Sequence, residues 1–441
     1  MSLFSPHPIT SLLVGLLLYV GCIAGLFSWT YLQGDRRKAR FVLELFLAIA
    51  ALTSMIFANH LLVLYVSWVA SNALLARMMT HHRGWSAARN GGALARKNFA
   101  LGALFVGVAL SLFWQQGGSP YVDTVLSAKS VQEGSSVTTF ALTLLILGAM
   151  TQSALWPFHR WLISSLNSPT PVSAFMHAGF VNGGYFFLAR FFPLYLAQPR
   201  LLFLLFSVGM ISAFLGTSWQ LLQNNVKGML ACSTMGQMGF MFAQCGMGLF
   251  PAALAHLVTH SLFKSYLFFA SGGAARETCY EIQTDRPLSL LSLSLLYGAW
   301  GSLCFAFSSG KSWASQDTNL VLLVVVFLTA SQCALPLLCA PIRYKKRIAA
   351  CVVGALSLLY GAVVDFMTHR TPESMMQPQA LNIGHGITIL LMVGAWLFLT
   401  LWKFSFFQHT PRWLLRVYVL QKNASEPDPE ATTPYRNDYQ Y

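Results

Sequence analysis

The chain has 441 residues, of which 55% are hydrophobic and only 10% charged, whereas a soluble domain carries about 25% charged residues. This composition excludes an ordinary soluble domain. The formal net charge of +14 invites a nucleic-acid reading, but the distribution of the charges along the chain argues against one.

Apolar segments long enough to span a bilayer, about 20 residues each, recur from end to end. Thirteen spans are predicted, over 9–32, 41–58, 61–79, 98–114, 137–165, 171–190, 201–222, 228–246, 250–273, 289–317, 319–338, 348–366 and 383–403. The class is therefore an all-α polytopic membrane protein. The first span has Ser/Pro flanks instead of a basic start, so it reads as a retained helix and not a signal peptide.

Lys and Arg report the orientation. With the N-terminus outside, 22 of the 28 fall in cytoplasmic segments, among them 33–40, 76–97, 274–288, 339–347 and the region after 402. Five fall outside (Lys129, Arg190, Arg200, Lys311 and Arg370), and Lys264 lies within a span. This bias is the positive-inside pattern and gives N-out, C-in. The excess charge is a topology signal.

Ionisable groups inside spans are expensive and point to function. In chain order they are Glu44, His177, His256, His260 and Lys264, then Lys311 and Asp365 near span ends, and His385. Glu44 is the only acid in a span of the first half. It reads either as part of a proton route or as a side chain reaching the cytoplasmic face. In "GAMTQSALWPFHRW" Pro157 interrupts the span that begins near Val137. Such breaks are tolerated only where the freed backbone faces protein or water, and they mark binding and conduction sites in transporters. Pro169 and Pro171 start the next helix, which carries His177.

In "AHLVTHSLFKSYLF", His256, His260 and Lys264 are spaced by four. Each such step turns an α-helix by only about 40°, so the three share one stripe. Pro251 can open this helix. The stripe forms a titratable ladder suited to passing protons; the plainer alternative is a buried polar cluster that joins helices by hydrogen bonds. Ser308-Ser309-Gly310 followed by Lys311 predicts a second interrupted span within 289–317. Two interrupted spans running in opposite directions suggest an inverted repeat. The resulting organisation is 1–97 as flanking helices with a basic cytoplasmic loop, 98–246 and 250–366 as the two repeats, 383–403 as the last span and 404–441 as a cytoplasmic C-terminal segment.

The eight cysteines are scattered, with no CxxC, and read as core residues. Neither a metal-ligand set nor a nucleotide-binding motif is present, so no catalytic site is assigned to this chain. The tail "NASEPDPEATTPYRNDYQY" reads as disordered or as a docking strap. The basic, apolar segment 412–422 suits a membrane surface or a partner.

Three stretches carry a family resemblance: "SALWPFHRWLISSLNSPTPVSAFMHAG", "NNVKGMLACSTMGQMGFMF" and "HLVTHSLFKSYLFFASG". In order and spacing they resemble the antiporter-like large subunits of respiratory complex I and of Mrp-type cation/proton antiporters. The resemblance implies two inverted five-helix repeats, each with a broken helix. It also implies that Lys264, His260 and His256 match the family's central proton-path residues. His177 matches the histidine after the first break, Lys227 a lysine at a helix start, and Lys311 the second-repeat lysine with a slip of about one residue.

The sequence departs from that family at two positions. Val69 stands where the family has a glutamate, and Gln152 where it has a lysine in the first broken helix. The loss is paired, and either charge left alone would be buried and uncompensated. The first half-channel is therefore expected to be altered. The chain is also short, with fewer helices at the front and no long lateral helix. This pattern, with "NHLLVLYVSWVASNALLARMM" and "ARKNF", is similar to the membrane subunit of DAB-type inorganic-carbon accumulation complexes. That resemblance implies a bacterial inner-membrane subunit that couples an H+ or Na+ gradient to CO2 hydration by a large soluble zinc-containing, DabA-like partner on the cytoplasmic side. The zinc would belong to the partner, and this chain would hold no cofactor. The alternatives are an Mrp-type antiporter subunit, a proton-pumping subunit of a respiratory or hydrogenase complex, or a structural anchor. The loops of 77–97 and the segment from 404 are the candidate docking surfaces.

Overall fold

The computed structural model describes residues 3–4, 8–272, 288–340, 343–403 and 412–432. The basic connection expected over 274–288 and the tail beyond Thr432 lie mostly or wholly outside these residues. The chain packs as two units, one drawn from Met1–Gly246, His256–Ala275 and Val419–Tyr441, the other from Met247–Ala255 and Arg276–Tyr418.

In the first unit, α1 (Pro8–Tyr31), α2 (Lys38–Phe57), α3 (Leu61–Met79) and α4 (Ser86–Gly117) follow one another as long apolar helices. His60 caps α3, its Nδ1 accepting from Leu62 N at 3.2 Å. Glu44 on α2 pairs with Arg40 at 3.0 Å and with Arg77 on α3 at 2.9 Å. Helix α4 starts twelve residues before the expected span, so Arg89, Arg96 and Lys97 lie on a helix and not in a loop. At about 1.5 Å per residue, its 32 residues exceed the about 20 a bilayer needs, which leaves about three turns beyond the hydrocarbon for these cations.

Short helices α5 (Val122–Ser127) and α6 (Lys129–Gln132) lead to α7 (Ser136–Gln152), where Ser135 Oγ caps by accepting from Thr138 N at 3.2 Å. The predicted break follows. The chain leaves the helix at Ser153, turns through Ala154 (φ 53°) and resumes only as α8 (Arg160–Ile163). The carbonyl of Thr151, freed by the break, accepts from Asn98 Nδ2 at 2.9 Å and from Trp161 Nε1 at 3.0 Å.

Next come α9 (Thr170–Ala178), a 3₁₀ turn (Phe180–Asn182), α10 (Gly183–Arg190), α11 (Phe192–Leu196), α12 (Pro199–Gln220), α13 (Val226–Gly246) and α14 (Phe250–Ala270). Helices α12 and α13 form an antiparallel pair. Pro251 lies in the first turn of α14, as expected.

The second unit holds α15 (Leu288–Ser309), α16 (Asn319–Cys339), α17 (Lys345–Arg370) and α18 (Ile383–Lys403), the first three packed together. The interruption expected within 289–317 is instead the end of α15. Gly310 has φ 65° and Lys311 N donates to Ala306 O at 3.1 Å, the αL closure that satisfies terminal carbonyls. No helix continues through 311–318. Asp365 on α17 faces His369 at 3.5 Å and is half-exposed. His385 caps the start of α18 by accepting from Asn382 N at 3.2 Å.

The chain ends, within the described residues, in α19 (Arg412–Ser425) and α20 (Pro429–Thr432). Residues 423–432 are ordered against the first unit, correcting the disordered alternative for that part of the tail. Every predicted span contains helix, but 137–165, 171–190 and 289–317 are not helical throughout. Among the described residues nine helices are long and apolar enough to cross a membrane; α7 is short, the 171–190 segment is broken, and α13 and α14 are diluted by polar residues.

Candidate functional site

The stripe on α14 forms as its spacing requires, and each of its side chains finds partners on another helix. His256 lies between two amides of α13, with Nε2 2.6 Å from Gln237 Oε1 and Nδ1 3.1 Å from Gln244 Oε1. A neutral imidazole has one donor and one acceptor. The Gln244 Nε2 is buried without a partner among the described residues, and turning that amide end for end lets it donate to Nδ1. With that one amide turned, the pair serves the neutral ring, and as placed it serves the protonated ring.

One turn on, His260 Nε2 is 3.3 Å from the carbonyl oxygen of His177. A carbonyl only accepts, so Nε2 carries the proton. His177 Nδ1 lies 3.0 Å from Thr234 Oγ1, and that hydroxyl reaches Leu230 O at 2.9 Å. Lys264 Nζ donates to the same Leu230 oxygen at 3.1 Å. Lys264 is 2% exposed, and among the described residues no carboxylate pairs with it. The His177 ring stacks on Phe268, centroids 4.4 Å apart. Helices α9, α13 and α14 therefore share one hydrogen-bonded string from His177 through Thr234 and Leu230 O to Lys264.

The structure adds a second break. The segment 171–190, expected as one unbroken span, loosens after Ala178 and turns through Phe180–Asn182. Three carbonyls, those of His177, Ala178 and Val181, exchange helical partners for side chains there, while Phe180 O keeps a turn bond from Gly183 N and gains a side-chain donor. His177 O meets His260; Ala178 O accepts from Asn182 Nδ2 at 2.9 Å; Phe180 O accepts from Gln152 Nε2 at 3.1 Å; Val181 O accepts from Ser153 Oγ at 2.7 Å. Asn182 Nδ2 also donates to Ser261 Oγ on α14 at 2.8 Å. The turn packs so closely on α7 that a Cβ on Gly184 would fall 2.7 Å from Ala149 O. A cavity of about 30 Å³ touches the turn, with Gly179, Asn182, Gly183 and Leu257 in its wall, room for a water molecule. The oxygens Gln152 Oε1 and Asn182 Oδ1 are buried without partners among the described residues.

Gln152 thus has a definite job at the position where the resemblance places a lysine. Sequence reasoning missed Gln237, Gln244, Thr234, Asn182, Ser153 and Ser261. Their signal was present as amides and hydroxyls in otherwise apolar spans, and as the Gly-Asn-Gly-Gly texture of "HAGFVNGGY".

The other expected residues lie elsewhere. Lys227 Nζ donates to Ser168 O at 3.0 Å and Leu166 O at 3.3 Å, holding the connection between α8 and α9. Glu44 is engaged by Arg40 and Arg77 and has no bond to the Lys264 string among the described residues. Lys311 belongs to the second unit, where its Nζ donates to Asn319 Oδ1 at 2.8 Å. Val69 is 36% exposed on α3, whereas Gln152 is fully buried.

A bundle of apolar helices with a broken span and a buried Lys/His string defines a multi-pass membrane subunit of antiporter type. The sequence profile described as NADH:quinone oxidoreductase/Mrp antiporter, TM matches residues 58–309. The chain belongs to that family.

Among its relatives, it is 33% identical over 276 residues to the "Probable inorganic carbon transporter subunit DabB1" of Halothiobacillus neapolitanus, covering 61% of this chain and 49% of the relative. It is 32% identical to "Probable inorganic carbon transporter subunit DabB" of Bacillus anthracis, covering 67% of this chain and 59% of the relative. Against NADH-quinone oxidoreductase subunit L of Pseudomonas aeruginosa, identity is 30%, covering 85% of this chain and 59% of the relative. The chain spans about half the length of the curated relatives it matches. In fold it is similar to a chain of the Mrp complex from Dietzia sp. DQ12-45-1b, with a TM-score of 0.60 at 22% identity over 96% of this chain and 45% of that one.

Proposed function

We propose that this chain is the ion-conducting subunit of a bacterial inner-membrane complex. It lets a cation run down its gradient and so drives CO2 hydration and bicarbonate accumulation by a soluble zinc-containing partner subunit on the cytoplasmic side. The observation that carries the conducting role is the buried string His177–Thr234–Leu230 O–Lys264, flanked on α14 by His260 and His256. The carbon-accumulating role is supported by the inorganic-carbon-transporter names of the relatives from Halothiobacillus and Bacillus.

The donor set favours H+ over Na+ as the cargo. The string's proton-carrying groups are the His177 imidazole, the Thr234 hydroxyl and the Lys264 amine. Leu230 O accepts from the last two and holds them together without itself passing a proton, so transfer between them would go by water or a direct exchange, and among the described residues no carboxylate reaches it. Sodium binds hard oxygen ligands and is repelled by an ammonium, whereas a proton can be relayed through these groups by short hydrogen-bond exchanges. The break between α9 and α10 begins one residue after His177, whose carbonyl meets His260, and a water-sized cavity touches the same turn, a setting in which backbone groups inside an apolar bundle find polar partners.

A second reading is an antiporter or proton-pumping subunit of a respiratory-type complex. It is favoured by the 85% coverage of this chain in the match to subunit L. Co-purification from the native membrane separates the two. A large zinc protein with carbonic-anhydrase-like activity supports the carbon reading, and a set of small membrane subunits or a quinone-reducing arm overturns it.

A further inference from the structure

The C-terminal segment meets the first unit at a place that bears on the site. Trp219 Nε1 donates to Gln421 Oε1 at 2.6 Å, Lys422 Nζ donates to Leu222 O at 2.7 Å, and Gln223 Nε2 donates to Ser425 O at 3.1 Å. These contacts fasten α19 to the end of α12. The chain then crosses to the connection between α8 and α9. Asp428 N donates to Ser164 Oγ at 3.0 Å, and Asn167 Nδ2 donates to Ala431 O at 2.9 Å. Asn90 Nδ2, on the first turn of α4, donates to Glu430 O at 3.0 Å. The Ala431 methyl is 1% exposed, in a socket walled by small residues including Gly91, Ser164 and Ser165.

The local sequence explains this. In "DPEAT", Asp428 Oδ1 accepts from Glu430 N at 3.0 Å and Pro429 opens the turn, a helix start written in an otherwise polar tail. A residue larger than alanine at 431 would not enter the socket.

We propose that Gln421–Thr432 is a clamp that fixes the connection 164–168, and through it positions α9 so that His177 holds its place in the string to Lys264. Lys227 grips the same connection at Leu166 and Ser168 from the α13 side, so the connection is held from two directions. Pro169 then passes that fixed geometry directly into α9, whose residues from 173 on follow in regular helix to His177. The effect of the clamp on ion movement rests on the conducting role proposed above; its mechanical effect does not.

The test uses the full chain in its native complex with three variants: Ala431→Trp to overfill the socket, Asp428→Ala to remove the cap while leaving the socket intact, and Lys264→Ala as the control for conduction. Hydrogen exchange is followed over 164–178, with α2 and α3 as internal reference, and gradient-driven ion flux is measured in vesicles. The clamp predicts that Ala431→Trp and Asp428→Ala raise exchange in 164–178 roughly tenfold with the reference unchanged, and lower flux several-fold. Exchange over 164–178 that stays at the wild-type rate in both variants overturns the clamp. Raised exchange with undiminished flux overturns the positioning of His177. Full flux in Lys264→Ala overturns the conducting role instead, and the exchange result still decides the clamp. If Ala431→Trp does not accumulate, Asp428→Ala alone decides.

Discussion

His260 Nε2 rests 3.3 Å from the main-chain oxygen of His177, so a side chain of one helix completes the backbone of another at the point where that second helix comes apart. The contact ties the α14 stripe to the α9 break, and it makes His260 both a support and a candidate carrier. Each role predicts a different response to substitution. His260→Ala leaves His177 O buried without a partner, at a cost of about 1–3 kcal/mol. His260→Gln keeps a donor in place, so it should hold thermal stability near wild type while ion flux falls. Flux in His260→Gln equal to wild type would assign the residue to support alone.

Among the described residues no carboxylate balances Lys264, and its Nζ donates to an oxygen that Thr234 also serves. Its removal therefore strands no backbone group. Lys264→Ala should assemble normally, with a fold cost no greater than the about 2–5 kcal/mol of a large-to-small change in a packed interior, yet lose gradient-driven activity by at least about tenfold. Wild-type bicarbonate accumulation by this variant would remove the basis for the conducting role.

Glu44 offers the contrast. It bonds two arginines whose side chains are half-exposed, so Glu44→Gln loosens the α2–α3 contact by about 1 kcal/mol and leaves flux alone. Vesicle assays showing loss of flux at wild-type stability would return Glu44 to the ion route.

At the two positions where the chain departs from its family, Gln152 is buried and bonded to Phe180 O, while Val69 sits on an exposed face. Phe180 O keeps its bond from Gly183 N, so Gln152→Leu strands no carbonyl and should cost about 0.5–1.5 kcal/mol, the net worth of one hydrogen bond. Val69→Glu should not rescue Gln152→Lys. A double-mutant cycle on thermal stability is expected to give a coupling below about 0.5 kcal/mol; a larger favourable coupling would show that the two positions do meet.

Acid should also act on a connection outside the spans. Asp35 accepts from Arg37 N at 2.7 Å and from His81 Nε2 at 2.7 Å. The Arg37 amide bond, with help from His81, holds its carboxyl below the usual carboxylate range. A depressed pKa contributes stability that is present above the unfolded value, near 3.9, and is lost as pH falls through the lower folded value. Asp35→Asn should therefore lower the melting temperature slightly at neutral pH and remove the part of the acid sensitivity that lies below about pH 4. Parallel melting curves for the two proteins at every pH would dismiss this pair as a contributor.

Much of the architecture was legible because hydrophobic length has only one outcome in a bilayer: a run of twenty apolar residues must become helix to satisfy its own backbone. That logic located the helical character of the chain, the break that follows α7 in the stretch containing Pro157, and the stripe of His256, His260 and Lys264, whose spacing alone places them on one face. It could not distinguish a break from an ending at Ser308-Ser309-Gly310, because the same residues that loosen a helix also close one. Nor could it find the 3₁₀ turn at Phe180–Asn182. That turn is held by Gln152, Ser153 and His260, 28 to 83 residues away in the chain, which supply side-chain bonds to carbonyls at and beside it. The residues that carry charge were thus determined by sequence. Which carbonyls they serve, and the seating of Ala431 over the α8–α9 connection, were decided only in three dimensions, since a hydrogen bond between helices depends on which faces meet and not on the order in which the chain presents them.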